Sequence, residues 1–368
     1  MKTKAAVVRE PKKLTIEEIE IDTPKAGEIL VRTKAAGVCH SDLHTYLGEL
    51  RTQPPLVLGH EGAGVVETVG EGVTTVKPGD RVLINWLPGC DTCFMCRNGQ
   101  PNLCERLPGT TFQGALLDGT SRLRTLDGLG LKQYLSASTM ADYMVVSEPS
   151  VIPFPDDVPF DVAAIIGCAV MTGVGAVMNT AKAEAGSSAA VIGCGGIGLS
   201  AIQGCKLVGC NPIIAVDVKA SKLEFARRLG ATHTVNAAEV DAVEALRELT
   251  PHNGPDYVFD SVGGAVTIPQ ALKAARPGGT AVIVGLHAAL ADVPIPAGVL
   301  VLQNKRLLGS FVGSARPQLD LPKLVELYRS GKLQLDELIT KRYNLEQLPE
   351  AFDDMEAGHV ARGVIVFE

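Results

Sequence analysis

The sequence predicts an α/β protein of two parts: a compact antiparallel β-barrel or sandwich, and a doubly wound parallel sheet. Three observations predict it. The first part of the chain carries many short alternating runs punctuated by Gly and Pro, as antiparallel strands joined by tight turns do. Beyond about residue 170, buried-type strands alternate with helical patterns, which requires a parallel sheet with crossover helices. The length of 368 residues suits two domains at ~150 residues each.

Each element has its own signal. Leu14 to Ile21 alternates apolar and polar residues, and Glu28 to Val38, Gly64 to Val69 and Asp80 to Asn85 read alike. Gly70-Glu71-Gly72 and Pro78-Gly79-Asp80 are turns. Val162 to Ala181 carries no charge and is long enough to span a bilayer. Its glycines, with Thr172, Asn179 and Thr180, favour a buried helix-and-turn segment instead. Ser188 to Ile192, Ile213 to Val216, Tyr257 to Phe259 and Thr280 to Val284 are short apolar strands. Residues 219–229 form an amphipathic helix closed by Gly230. A later helix carries Leu324, Val325, Leu327 and Tyr328 on one face, with Pro322 near its start and Gly331 after its end. Val364 to Phe367 is a final strand.

Composition narrows the function classes. With 34 basic and 41 acidic residues the formal charge is −7, which argues against a partner made of nucleic acid. A hydrophobic fraction of 46% supplies a core and excludes disorder as the main state. The N-terminal MKTKAAVVRE has no apolar run of signal-peptide length. A cytoplasmic, reducing compartment and no membrane partner are expected, and clustered thiols there are metal ligands rather than disulfides.

Four of the nine cysteines have a distinctive spacing, Cys90-x2-Cys93-x2-Cys96-x7-Cys104. Four thiolates so close can complete a tetrahedral all-cysteine zinc site. The bacterial iron–sulfur run needs its fourth Cys after three residues, followed by Pro; here the gap is seven and Glu105 follows. A second set is scattered: Cys39, His40, Ser41, Asp42 and His44, then His60 and Glu61, then Cys168. Cys39, His60 and Cys168 together would give two thiolates and one imidazole, with a fourth position left for water or substrate, as catalytic zinc requires. Gly193-x-Gly195-Gly196-Ile197-Gly198 sits between a strand and a helix, and Asp217 ends the next strand. That context fits a dinucleotide turn: Gly193 for the tight bend, Gly195 for approach of a pyrophosphate, Gly198 for helix–strand packing. A carboxylate at Asp217 would take the ribose diol and repel a 2′-phosphate, so NAD is expected over NADP.

These residues, with Gly59-His60-Glu61-x2-Gly64-x5-Gly70 and Gly167-Cys168-x3-Thr172-Gly173, resemble the zinc-dependent alcohol dehydrogenases of the medium-chain dehydrogenase/reductase family over essentially the whole chain. The resemblance implies a GroES-like β-barrel catalytic domain, residues 1–169 and 311–368, interrupted by a Rossmann coenzyme domain, residues 170–310. It implies two zinc ions per chain. The catalytic ion would be held by Cys39, His60 and Cys168 with Glu61 close behind; the structural ion would be held by the four-cysteine loop, residues 88–106. Asp42 would orient His60, and Ser41 and His44 would relay the substrate proton to solvent. His40 and Arg362 would meet the pyrophosphate, Lys222 the adenosine ribose, and Thr172, Val284 and Leu286 the nicotinamide. Trp86, Leu50, Tyr134 and Leu135 would wall the substrate pocket. The implied activity is hydride transfer between a primary alcohol or aldehyde and NAD. The alternatives are a formaldehyde dehydrogenase acting on a thiol adduct of the S-hydroxymethyl glutathione or mycothiol type, and a non-catalytic zinc- and nucleotide-binding regulator. The 63 residues between Cys104 and Cys168, including a Gly/Leu-rich loop 108–131, resemble the dimeric and class III-like members. A homodimer through the coenzyme domains is therefore expected, with a tetramer as the other option.

Overall fold

The computed structural model describes residues 1–50, 52–286 and 292–368. Ten strands come first: β1 (Lys2–Glu10), β2 (Lys13–Ile21), β3 (Glu28–Val38), β4 (Leu56–Val57), β5 (Glu61–Val69), β6 (Arg81–Ile84), β7 (Leu123–Thr125), β8 (Gly130–Gln133), β9 (Tyr143–Ser147) and β10 (Val151–Pro153). Helix α1 (His40–Leu47) follows β3. After a long helix, α2 (Phe160–Ala181), come β11 (Ala189–Ile192), α3 (Gly196–Val208), β12 (Ile213–Asp217), α4 (Ala220–Leu229) and β13 (His233–Asn236). Next are α5 (Ala242–Glu248), β14 (Tyr257–Asp260), α6 (Thr267–Ala274), β15 (Thr280–Ile283), α7 (Ala297–Leu302) and β16 (Arg306–Gly309). The chain ends with α8 (Pro317–Arg329), β17 (Ile339–Tyr343), α9 (Leu348–Ala357) and β18 (Arg362–Val366).

These elements make two compact units. The first holds Met1–Cys168, Arg316–Gly331 and Leu335–Glu368; the second holds Ala169–Ala315 with Lys332–Gln334. In the first unit, β1-β2-β7-β8-β4 close a barrel. Alternate residues fill it, among them Ala5, Val7, Ile19, Ile21 and Leu131, because successive strand side chains point to opposite faces. A further sheet runs β10-β6-β5-β3-β18-β17, with β9 also on β3. The stretch 108–131, expected as a loop, supplies β7 and the start of β8. Buried Arg122 pairs with Asp118 within the stretch and anchors it through an ion pair to Glu28, a long-range contact invisible to local pattern.

In the second unit six parallel strands run β13-β12-β11-β14-β15-β16. This is the 3-2-1-4-5-6 order of the doubly wound fold, whose direction of winding reverses between β11 and β14. Ala190, Ile192, Ile214, Val216, Val258 and Ala281 are buried together, the continuous apolar runs of strands covered on both faces.

Two expectations need correction. The segment expected as helix-and-turn is one continuous helix of 22 residues, with 89% of its apolar window buried. Its glycines do not break it; they admit neighbours. A Cβ on Gly167 would lie 2.3 Å from the Ile84 carbonyl oxygen, one on Gly173 2.3 Å from that of Ile197, and one on Gly175 2.6 Å from that of Gly313. Pro322 lies inside α8, whose first residue is another proline, Pro317.

Candidate active site and metal centres

The sheet of the first unit brings distant residues together. In the β3–β5 ladder Gly37 pairs with Glu61, which puts Cys39, just past the end of β3, beside His60, just before β5. Gly363 of β18 pairs with Val38, so Arg362 arrives at the same end. Cys168 comes from α2, pressed onto β6 through Gly167. The result is a group in which Cys39 Sγ, one His60 nitrogen, one Glu61 oxygen and Cys168 Sγ all lie within 4.8 Å of one another.

The donor set fits zinc. His60 is fully buried, and its Nε2 has no hydrogen-bond partner, an arrangement that wants a Lewis acid. Its Nδ1 lies 3.2 Å from Asp42 Oδ1, which also accepts the Gly59 N–H at 3.0 Å. A carboxylate on Nδ1 fixes the tautomer with Nε2 free to ligate, as metal-bound histidines require. The hydrogen bond with Cys168, aided by His60, holds the Cys39 thiol well below its ordinary pKa, while the same contact and burial push Cys168 well above. Two adjacent thiols cannot both ionise unaided; a divalent cation removes that conflict. Glu61 is fully buried, and burial lifts its carboxyl to about 7 against the pull of Arg362. One of its oxygens pairs with the Arg362 guanidinium. Gly37 makes room for that pair, since a Cβ there would lie 2.1 Å from Glu61 Oε2.

The rest of the predicted set is placed as follows. Ser41 Oγ lies 3.8 Å from Cys39 Sγ. His44, half-buried, has Nδ1 2.5 Å from Glu49, and the His40 ring, on an exposed residue, is 6.3 Å from it. Trp86 and Tyr134 both lie nearly perpendicular to the His60 ring, at 5.7 and 5.8 Å between centroids. Leu135 is buried and Leu50 half-buried. Arg362 is buried against Glu61.

The second cysteine group is equally tight. Cys90, Cys93, Cys96 and Cys104 Sγ atoms lie within 4.8 Å of one another, with Cys90–Cys96 at 4.0 Å and Cys93–Cys104 at 3.9 Å. A zinc tetrahedron with ~2.3 Å bonds has sulfur–sulfur edges of ~3.8 Å. The Cys93 and Cys96 amides donate to Cys90 and Cys93 sulfurs. Burial opposes ionisation of Cys90, yet Thr92 and nearby amides bring it to about 6; burial and Cys93 push Cys96 up to about 12.

In the second unit Gly193 has φ +88°. A Cβ on Gly198 would lie 1.8 Å from the Gly193 carbonyl oxygen, whereas one on Gly195, the residue before α3, would meet nothing within 4 Å. Gly196 and half-buried Ile197 open α3. Asp217, at the end of β12, accepts the amides of Cys194 (2.8 Å) and Lys219 (3.0 Å). Lys222 is half-buried on α4, Thr172 buried, Val284 half-buried and Leu286 exposed.

Sequence reasoning missed two supports. Ser261 Oγ donates to the Ile192 and Gly193 carbonyls, bracing the turn from β14. Thr139 Oγ1 donates to the Glu61 carbonyl. Neither belongs to a local motif; only pairing in three dimensions exposes them.

Two family descriptions match the chain: an alcohol dehydrogenase GroES-like domain over residues 25–156 and a zinc-binding dehydrogenase over residues 196–330. An alcohol dehydrogenase class-3 of Cereibacter sphaeroides is 44% identical over the full length of both chains. An S-(hydroxymethyl)glutathione dehydrogenase of Paracoccus denitrificans is 40% identical, again over the full length of both. The solved structure of an alcohol dehydrogenase zinc-binding domain protein from Burkholderia ambifaria superposes with a TM-score of 0.95 at 35% identity, covering 100% of this chain and 99% of that one. With the ligand sets assembled and such relatives aligned from end to end, the chain belongs to the zinc-dependent alcohol dehydrogenases of the medium-chain dehydrogenase/reductase family.

Proposed function

We propose that this protein interconverts a primary alcohol and its aldehyde with NAD as the hydride carrier. The observation that carries the reading is the convergence of Cys39, Cys168 and an unpartnered His60 Nε2, a three-residue donor set, with the Ser41 hydroxyl alongside. When bound, zinc supplies the Lewis acid that makes a hydroxyl acidic near neutral pH, and NAD supplies the hydride acceptor. The chain does the rest. Asp42 holds the His60 ring, and Arg362 neutralises Glu61 so that a buried carboxylate can stand behind the ligands. Ser41 accepts the alcohol proton by hydrogen bond, and His44, steadied by Glu49, hands it to solvent. Trp86, with Leu50 and Leu135, supplies apolar surface to exclude water. Gly193, Gly195, Gly196, Ile197 and Gly198 carry the pyrophosphate. Asp217 and Lys222 hold the ribose and select NAD; Thr172, Val284 and Leu286 frame the nicotinamide. The four-cysteine loop takes a structural zinc.

One specific observation favours a second substrate. The Paracoccus denitrificans relative is named for S-(hydroxymethyl)glutathione, so a formaldehyde–thiol adduct is the alternative. We further propose a cytoplasmic homodimer formed through the nucleotide units. Val301 and Leu302 of α7 are 78% and 87% exposed, next in the chain to β16, which among the described residues pairs on one side only. An open edge with apolar neighbours is what a second copy covers.

The test is a Cys39→Ala variant assayed for NADH formation with primary alcohols, and with formaldehyde in the presence and absence of glutathione or mycothiol. Wild-type protein should hold two zinc ions per chain, and the variant one, with turnover abolished. Near-normal turnover in the variant would falsify the ligand assignment. Activity only with the thiol present selects the second substrate.

A further inference from the structure

The turn that follows β8 is strained without glycine. Leu135, Ser136 and Ser138 have φ of +48°, +56° and +55°, the left-handed region that Cβ-bearing residues avoid. All three are buried. Such strain persists only where the surroundings over-determine it, and it collects at functional sites. Here hydroxyls over-determine it. Ser138 Oγ donates to the Val57 carbonyl at 2.9 Å and accepts the Tyr134 amide at 3.0 Å. Ser136 Oγ donates to the Ala115 carbonyl at 2.6 Å.

What the turn delivers is Tyr134. The side chain has almost no exposed surface, 1%, so it does not present an open wall. Its ring packs against the His60 imidazole in a T-shaped contact at 84°, and its hydroxyl donates to the Ser41 carbonyl at 3.0 Å. That carbonyl also takes the Thr45 hydroxyl at 2.9 Å. One phenol therefore touches a metal-ligand ring and the backbone of the residue whose own hydroxyl lies next to Cys39. We propose that Tyr134 is a positioning residue: held rigid by the strained turn, it fixes Ser41 for proton transfer and buttresses His60, rather than contacting substrate. The proposal rests on the reading of Ser41 as the relay hydroxyl.

Removing only the hydroxyl leaves the Ser41 carbonyl bonded to Thr45, so the fold should tolerate Tyr134→Phe. A slightly misplaced relay still transfers protons, more slowly. In the zinc-loaded full-length enzyme, Tyr134→Phe should lower kcat by about 5-fold for every alcohol in a chain-length series. KM, melting temperature and zinc content should stay near wild type. In a Ser41→Ala background the same change should do nothing further, since coupled residues are non-additive. Tyr134→Leu, which removes the ring, should also release zinc to a chelator several-fold faster, a readout independent of turnover. The proposal is overturned by an unchanged kcat in Tyr134→Phe, by a chain-length-dependent KM effect (a pocket wall), or by additive losses in the double variant. If Ser41→Ala itself leaves kcat intact, the relay reading fails and takes this one with it; a loss in Ser41→Ala but not in Tyr134→Phe sinks only the positioning role.

Discussion

Asp217 is the carboxylate to which the proposed reading gives the choice of cofactor. Its oxygens accept two backbone amides, from Cys194 in the glycine turn and from Lys219, so the charge is pinned at the end of β12. A 2′-phosphate brought there meets an immobile negative charge. Asp217→Ser should raise kcat/KM for NADP relative to NAD by at least about 10-fold, or ~1.4 kcal/mol, measured by parallel assays with the two cofactors; an unchanged ratio means another group discriminates. Lys305 shows the opposite bargain between charge and burial. It is 7% exposed, and its Nζ donates to the Leu272 and Lys273 carbonyls near the end of α6. Burial, with Arg247 adding to it, lowers its pKa to about 8 from 10.5. Between those values the unfolded chain holds a proton that the folded chain has shed, so this group makes stability rise with pH across the window. The gain is up to about 3 kcal/mol at ~1.36 per unit. Denaturant titrations of wild type and Lys305→Met at pH 7.5 and 10 should show their difference shifting towards the wild type as pH rises. A constant difference removes Lys305 as the source.

At the scale of elements, the proposed role of the β11–turn–α3 unit in holding NAD makes folding and binding separable there. Gly198 faces protein, with the Gly193 carbonyl where a Cβ would sit; Gly195 faces open space. Gly195 also has φ −83° and ψ −171°, which alanine adopts freely. Gly195→Ala should therefore melt like wild type but bind NAD at least about 10-fold more weakly, because its methyl occupies the pyrophosphate approach. Gly198→Ala should lose both melting temperature and binding. Thermal scans with and without NAD distinguish the two, and equal losses of melting temperature would refute the division.

At the scale of the whole molecule, the apolar face of α7 bears on assembly. Val301 and Leu302 are the two most exposed large hydrophobic residues described, a cost in water unless covered. If the proposed dimer forms through this face, Leu302→Glu should shift the mass towards that of a monomer in size-exclusion chromatography with light scattering. An unaltered mass would place the interface elsewhere.

The sequence alone determined the chemistry and the class of fold. Local spacing is enough for the four-cysteine loop, because its ligands lie within one short stretch. The glycine turn with Asp217 is also local, because strand, turn and helix follow one another. Cys39, His60 and Cys168 were readable only as candidates, from their residue types and then from family resemblance, since no spacing rule links residues so far apart. The tertiary structure decided their meeting, through the β3–β5 and β3–β18 ladders and the glycine contact of α2 on β6. It also decided what no pattern announces: the Glu61–Arg362 pair, the unbroken α2, the strands within 108–131, and the place of Tyr134. The reason is physical. Spacing encodes which groups a short peptide can offer, while strand register and close packing between distant segments fix which of them touch.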